Sequence, residues 1–197
     1  MFKRSLLIGD IGGTNARFAL ANPDEPGFSN ELTLACDDYE TAQQGIAEYL
    51  ERSNSGNPDV ICLAVAGPIV DGAVHFTNNH WVIDSQLLKT DFPLSRVQLL
   101  NDFESIAYSI PMLAENDVES IGTVPPCSDK KRDLTFAVLG PGTGLGAAGL
   151  LVRDSAIYAI VGEGSHAGFA AETPMQLKVL VQLRGRFDRV SSERLIS

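Results

Sequence analysis

Two glycine-and-threonine turns carry the first chemistry this sequence offers: Gly9-Asp10-Ile11-Gly12-Gly13-Thr14-Asn15 and Gly140-Pro141-Gly142-Thr143-Gly144-Leu145-Gly146. Each follows a short apolar run. Glycine leaves backbone N–H groups open to phosphate oxygens that a side chain would block, and Thr14 adds a hydroxyl donor. Asp10 cannot grip phosphate directly, because like charges repel. It fits only with Mg2+ between them, an ion that takes one or two carboxylates together with phosphates and waters. A hairpin with no ligand is the plain alternative. Between the turns, Leu99-Leu100-Asn101-Asp102-Phe103 puts an amide and a carboxylate at the end of another apolar run. An Asx turn or a helix cap would explain that pair alone. Placed between two phosphate grips, Asp102 fits a base that takes a proton from an acceptor hydroxyl, and Asn101 an amide that fixes one. The set points to phosphoryl transfer.

Other motifs carry less on their own. Gly162-Glu163-Gly164-Ser165-His166 is polar and flexible at a hairpin end, a good place for a polyol-binding pair or for a solvated loop histidine. Glu193 falls in the first turn of the last helix, where the helix dipole alone accounts for an acid. Gly144-Leu145-Gly146-Ala147-Ala148-Gly149 matches the dinucleotide pattern G-x-G-x-x-G, with Glu163 near the place of a ribose-binding acid. That pattern needs a helix opening on the glycines, and here a strand is expected. A P-loop fits worse still, since no Gly-Lys-Ser/Thr follows either turn.

Strands and helices alternate around these motifs, as in an α/β sheet. Apolar runs predict strands over 5–8, 16–21, 31–35, 60–66 and 97–100, with 60–66 covered on both faces. Val70-Asp71-Gly72-Ala73 fits a tight hairpin turn. Asp38 is a plausible N-cap for a helix with Tyr39, Ala42, Ile46, Tyr49 and Leu50 at helical spacing. A second helix is expected over 103–113, closed by Pro111. Residues 115–133 read as a crossing between domains, with Lys130-Lys131-Arg132 a solvated run. Beyond it come a strand over 135–139, a hairpin of 147–152 and 156–161, a helix opening at Thr173-Pro174, and a last one opening at Ser191.

Composition sets the limits. With 197 residues, 44% of them hydrophobic, the chain can bury a substantial core. A net charge of −10 disfavours nucleic acid and anionic membrane surfaces. Cys36, Cys62 and Cys127 lack any C-x-x-C spacing, which argues for inert thiols in a reducing compartment. The run from Met1 into the first strand is too short for a signal-peptide core or a membrane span, so the expected setting is the cytosol.

Read together, the motifs closely resemble bacterial ATP-dependent glucokinases, of the actin-like and hexokinase-like phosphotransferase superfamily. The resemblance rests on the first turn through Arg17, Ala64-Val65-Ala66-Gly67-Pro68, Thr77-Asn78-Asn79-His80-Trp81, Asn101-Asp102-Phe103 and Ile110-Pro111-Met112-Leu113. The second turn, Gly162 to His166 and Val190-Ser191-Ser192-Glu193-Arg194 complete it, in the family's order. It implies an α/β, actin-like (ribonuclease H-like) ATPase fold, with a complete small domain over 1–113 and a truncated larger domain over 114–197. It implies that Gly9, Asp10, Ile11, Gly12, Gly13, Thr14, Gly142, Thr143 and Gly144 serve ATP, with Asp10 toward Mg2+. It makes Asp102 the base for the sugar 6-hydroxyl, and Asn101, Glu163, His166 and Glu193 the holders of glucose. A homodimer of the full-length form stays open. Ala167-Gly168 departs from relatives that carry an aspartate after the histidine. The zinc-binding cysteines of the related repressor branch are absent, as is a helix-turn-helix candidate. The sequence ends before the family's adenosine-binding segment, so the expectation is a glucokinase fragment with little activity alone, and a non-catalytic sugar- or nucleotide-binding remnant is the alternative.

Overall fold

The computed structural model describes residues 5–93, 95–123, 133–142, 144–154 and 156–196, apart from the side chain of Pro26. Thr143, Cys127 and the Lys130-Lys131-Arg132 run therefore lie outside the described residues. The chain forms two compact units, Met1–Asp102 and Phe103–Ser197.

The first unit is built on a mixed sheet. Strands β1 (Leu6–Ile11), β2 (Asn15–Asn22), β3 (Glu25–Ala35), β4 (Val60–Val65) and β7 (Arg96–Asn101) lie in the order β3-β2-β1-β4-β7. β1 runs antiparallel to β2 and parallel to β4, which is parallel to β7. Helix α1 (Ala42–Arg52) turns Ala42, Ile46, Tyr49 and Leu50 into a core with Leu7, Phe18 and Leu63.

The expected cap at Asp38 is corrected. Asp38 closes a 3-10 turn, Cys36–Asp38, and Thr41 caps α1 by accepting the Gln44 N–H at 3.2 Å. The Thr-x-x-Gln spacing was the better signal. β4 is also not covered on both faces: Ile61, Leu63 and Val65 are buried, and the alternate residues only half so.

Three short elements were not anticipated: β5 (Ala73–His75), β6 (Val82–Asp84) and α2 (Ser85–Asp91). β5 opens on the expected tight turn, where Asp71 and Gly72 have φ of 52° and 78°, the left-handed pair a primed hairpin turn requires. α2 is capped by Asp84, whose Oδ1 accepts the N–H groups of Gln86 and Leu87 at 2.6 and 3.3 Å.

α3 (Asp102–Ser109), which enters the second unit at Phe103, gives way to a 3-10 turn, Ile110–Met112, because Pro111 cannot donate the next helical hydrogen bond. β8 (Leu134–Pro141), β9 (Leu145–Arg153) and β10 (Ala156–Val161) form an antiparallel sheet. Ala107 of α3, Val138 and Leu150 centre a smaller core. Since β9 continues from Leu145 as a strand, no helix opens at Gly146, and the dinucleotide pattern is accidental. α4 (Pro174–Arg184) opens at Thr173-Pro174 as expected, adds a capping box with Gln176 that the sequence reading did not name, and buries no residue. The last helix, α5, spans Glu193–Ile196, two residues later than expected, with Ser191 Oγ accepting the Arg194 N–H at 3.4 Å. Among the described residues, no helix is long and apolar enough to cross a membrane.

Candidate functional site

Residues of the first glycine turn divide between packing and exposure. A Cβ on Gly9 would lie 2.8 Å from Leu63 Cδ2 and 3.0 Å from Phe18 Cδ1, so this glycine is required by the core behind it. Ile11 is buried in the same core. Asp10, pointing the other way by strand alternation, is exposed and faces its register partner Arg17, with Nη1 and Oδ2 3.9 Å apart. After β1 the chain turns through Gly12, whose N–H donates to the Asn15 carbonyl at 3.0 Å.

That turn is held from outside by the segment from Asn78 to Trp81. Asn79 Nδ2 donates to the Gly12 carbonyl at 3.1 Å, while its Oδ1 accepts the Trp81 N–H at 2.9 Å. Asn78 lies against Gly13, where a Cβ would stand 3.2 Å from its own. The Trp81 indole is buried, donates to the Tyr39 carbonyl at 2.9 Å and presses on Gly45 of α1. Cys36 braces the far end: its N–H donates to the Thr14 carbonyl at 2.8 Å, and burial pushes its thiol up despite a hydrogen bond with Asn79. Sequence reasoning gave Asn79 no role. Its one signal was membership of the Thr77-Asn78-Asn79-His80-Trp81 segment that carries the family resemblance.

Asn101 ends β7, beside Val65 at the end of β4. Its Nδ2 donates to the Gly67 carbonyl at 3.3 Å, and Gly67 has φ of 149°. Asp102 begins α3, so strand end and helix start fall at one peptide bond.

In the second unit, three separated sequence positions converge. The turn between β8 and β9 closes through the Gly142 N–H, which donates to the Gly144 carbonyl at 2.7 Å. Residues 167–169 run beside 190–192 through the Gly168–Ser191 bridge and the Phe169 N–H to Val190 carbonyl bond at 2.9 Å. This brings Glu193 beside the 3-10 turn Gly164–His166. Glu193 Oε2 accepts the Leu145 N–H at 3.0 Å, and Oε1 lies 3.6 Å from His166 Nδ1. The other imidazole nitrogen, Nε2, is 3.3 Å from Glu163 Oε2. The histidine thus stands between two carboxylates. Glu193 is mostly covered, whereas His166 and Glu163 are exposed by half or more.

Such a trio suits a polyol. Each sugar hydroxyl both donates and accepts; carboxylates supply acceptors and imidazole supplies either. Asp10, as a lone exposed carboxylate, is compatible with an ion held mainly by phosphate oxygens, as Mg2+ prefers. No group of three His, Cys, Asp or Glu side chains among the described residues could hold a metal by protein ligands alone.

The mixed five-stranded sheet with its α/β connections defines the chain as an actin-like ATPase fold. A family model described as glucokinase matches residues 7–197, and the chain belongs to that family. It is 42% identical over 193 residues to a glucokinase of Caulobacter sp. strain K31, covering 97% of this chain and 57% of the relative. With a glucokinase of Aromatoleum aromaticum it shares 38% over 195 residues. The crystal structure of a glucokinase from an Antarctic psychrotroph superposes with a TM-score of 0.81 at 34% identity, covering all of this chain and 61% of that one. A glucokinase from Balamuthia mandrillaris in complex with glucose shares the fold, with a TM-score of 0.69 at 24% identity. The chain spans less than three-fifths of the Caulobacter relative's length.

Proposed function

We propose that this chain carries the sugar-handling machinery and phosphate grips of a cytoplasmic, glycolytic glucokinase, with a small α/β domain over 1–113 and the first part of a larger one over 114–197. The reaction transfers the γ-phosphoryl group of ATP to the 6-hydroxyl of glucose. Asp102 takes the 6-hydroxyl proton, the oxygen forms its bond to the γ-phosphorus, and the bond to the β–γ bridging oxygen breaks to leave ADP. Asn101, Glu163, His166 and Glu193 hold the remaining hydroxyls. Gly12, Gly13 and Thr14 of the first turn and Gly142 to Gly144 of the second face the phosphates. Mg2+, when bound near Asp10, would neutralise phosphate charge. The observation that carries this proposal is the meeting of Glu163, His166 and Glu193 at the second glycine turn.

Asp102→Asn in a full-length version of this sequence is expected to lower kcat by ~10²–10⁴ while glucose affinity holds, the usual scale of losing a general base. Normal turnover in that variant would remove the role from Asp102.

A second possibility, a non-catalytic sugar- or nucleotide-binding remnant, is favoured by the partial span of the relatives and by α4, where Met175 and Val181 are about 70% exposed. Calorimetry with glucose and ATP beside a coupled kinase assay on the 197-residue chain separates the two. Binding with little or no turnover is expected of this length, and turnover at a normal kinase rate would dispose of the remnant.

A further inference from the structure

Gly140 and Gly146 face each other across the β8–β9 hairpin, in direct register. Together they leave a flat patch just before and just after the turn at 142–144. The Phe103 ring occupies it. A Cβ on Gly140 would stand 2.5 Å from Phe103 Cζ, and one on Gly146 would coincide with the ring edge at Cε2, Cζ and Cδ2. No other glycine in the described chain is approached so closely by a neighbour. The ring continues into the small core of Ala107, Val138 and Leu150, so α3 is pinned at its first turn and again at its middle.

We propose that Phe103, seated on Gly140 and Gly146, is the positioning residue for Asp102, and that this pair of glycines serves the ring rather than a phosphate. The inference rests on Asp102 being the base. Phe103 follows Asp102 directly, so the seat fixes the peptide plane on the C-terminal side of the carboxylate. The same hairpin carries the second glycine turn; a ring held beneath it ties helix start and turn to one rigid element. A general base gains from such fixing, because a misplacement of about 1 Å can cost on the order of 10²-fold in rate.

Three variants of the 197-residue chain test the seat: Gly146→Ala, Phe103→Leu, and the two combined. In Gly146→Ala the new methyl drives the ring off its patch. Amide and carboxyl resonances of Asp102 should shift, and amide exchange at 103–106 should rise at least about tenfold, against less than about threefold at 148–152, the contrast expected of local rather than global opening. The shorter leucine makes room for the methyl, so the double variant should return most of the way to wild type. In the full-length version, Gly146→Ala should lower kcat by ~10–10² with the glucose KM within about threefold. Unmoved Asp102 resonances in a folded Gly146→Ala chain, or a double variant no nearer wild type than the single, would overturn the proposal. Should Gly146→Ala fail to fold, Phe103→Leu decides: it must move Asp102 and spare the hairpin amides, and an unmoved Asp102 ends the idea. A wild-type protein without kinase turnover, but with the shifts as expected, counts against the kinase proposal alone.

Discussion

The two glycine turns are alike in sequence and different in how they are held. At the first, a neutral amide does the work: Asn79 takes the Gly12 carbonyl and leaves the turn's N–H groups uncommitted to it. At the second, a carboxylate is the support, and it consumes an N–H, that of Leu145. A carboxylate at a phosphate grip would repel its ligand unless its charge were engaged elsewhere. Glu193 is engaged by the Leu145 N–H and lies beside the His166 imidazole. The acid of the first turn, Asp10, is exposed and only loosely matched with Arg17, in the range where surface pairs contribute ~0–1 kcal/mol. One turn is therefore buttressed by a residue outside the proposed sugar and phosphate sites, the other by a residue to which the proposal also gives a sugar hydroxyl. Damage should separate at the first turn and stay entangled at the second.

Removing the shared support is the sharpest way to break this contrast. Glu193→Ala should weaken glucose binding by ~10–10², the range for hydrogen bonds to a charged group. It should also disturb the 142–144 turn, seen together by calorimetry and by the Leu145 amide resonance. A variant that loses sugar affinity but keeps that resonance would show the two duties to be independent. Next in size, Glu163→Gln or His166→Ala should lower glucose affinity about tenfold while sparing the turn, and a pure turnover defect with unchanged affinity would argue against their assignment. Asn79→Ala should leave glucose affinity alone and cost about 1–3 kcal/mol in urea unfolding, since the half-buried Gly12 carbonyl and Trp81 N–H both lose a partner.

The smallest effect is a pH dependence confined to the first turn's unit. Burial raises the Cys36 thiol above its ordinary value of 9.0. The unfolded thiol ionises first, so this stabilisation is complete below about pH 9 and is lost as pH climbs toward the folded value. Buried Tyr49 is raised in the same sense from 10.0 and adds to the loss further up. The urea midpoint should fall with pH above 9, and Cys36→Ala should flatten the first part of that fall.

Much of the framework was legible because turn chemistry and apolar runs agree. Strands bracket both glycine turns, and Thr173-Pro174 announces α4. Legibility failed where elements were too short to show a period: β5 and β6 have three residues each. Asp38 misled because an acid before a helical stripe looks like a cap, while Thr41 with Gln44 had the spacing that folds into one. Within the candidate site, Asn101-Asp102 could be placed at a strand end from the run before it. The approach of Glu193 to His166 could not, for it depends on the Gly168–Ser191 bridge, and a single bridge leaves no periodic trace. Family resemblance pointed to both residues without giving their link to Leu145. Phe103 and its glycine seat escaped for a related reason: glycines at a turn invite a phosphate explanation, and nothing local reveals an aromatic ring arriving from 37 residues upstream of Gly140.

Trp81 has a practical consequence. It is the chain's single tryptophan, fully enclosed against α1, and its backbone is hydrogen-bonded to the side chain that clasps Gly12. Excited at the red edge, where the four tyrosines do not absorb, the protein's emission therefore comes from one indole in one unit, two residues from the first turn's buttress. Its wavelength and intensity give a label-free optical gauge of that turn, ready to be followed in a nucleotide titration without any added dye.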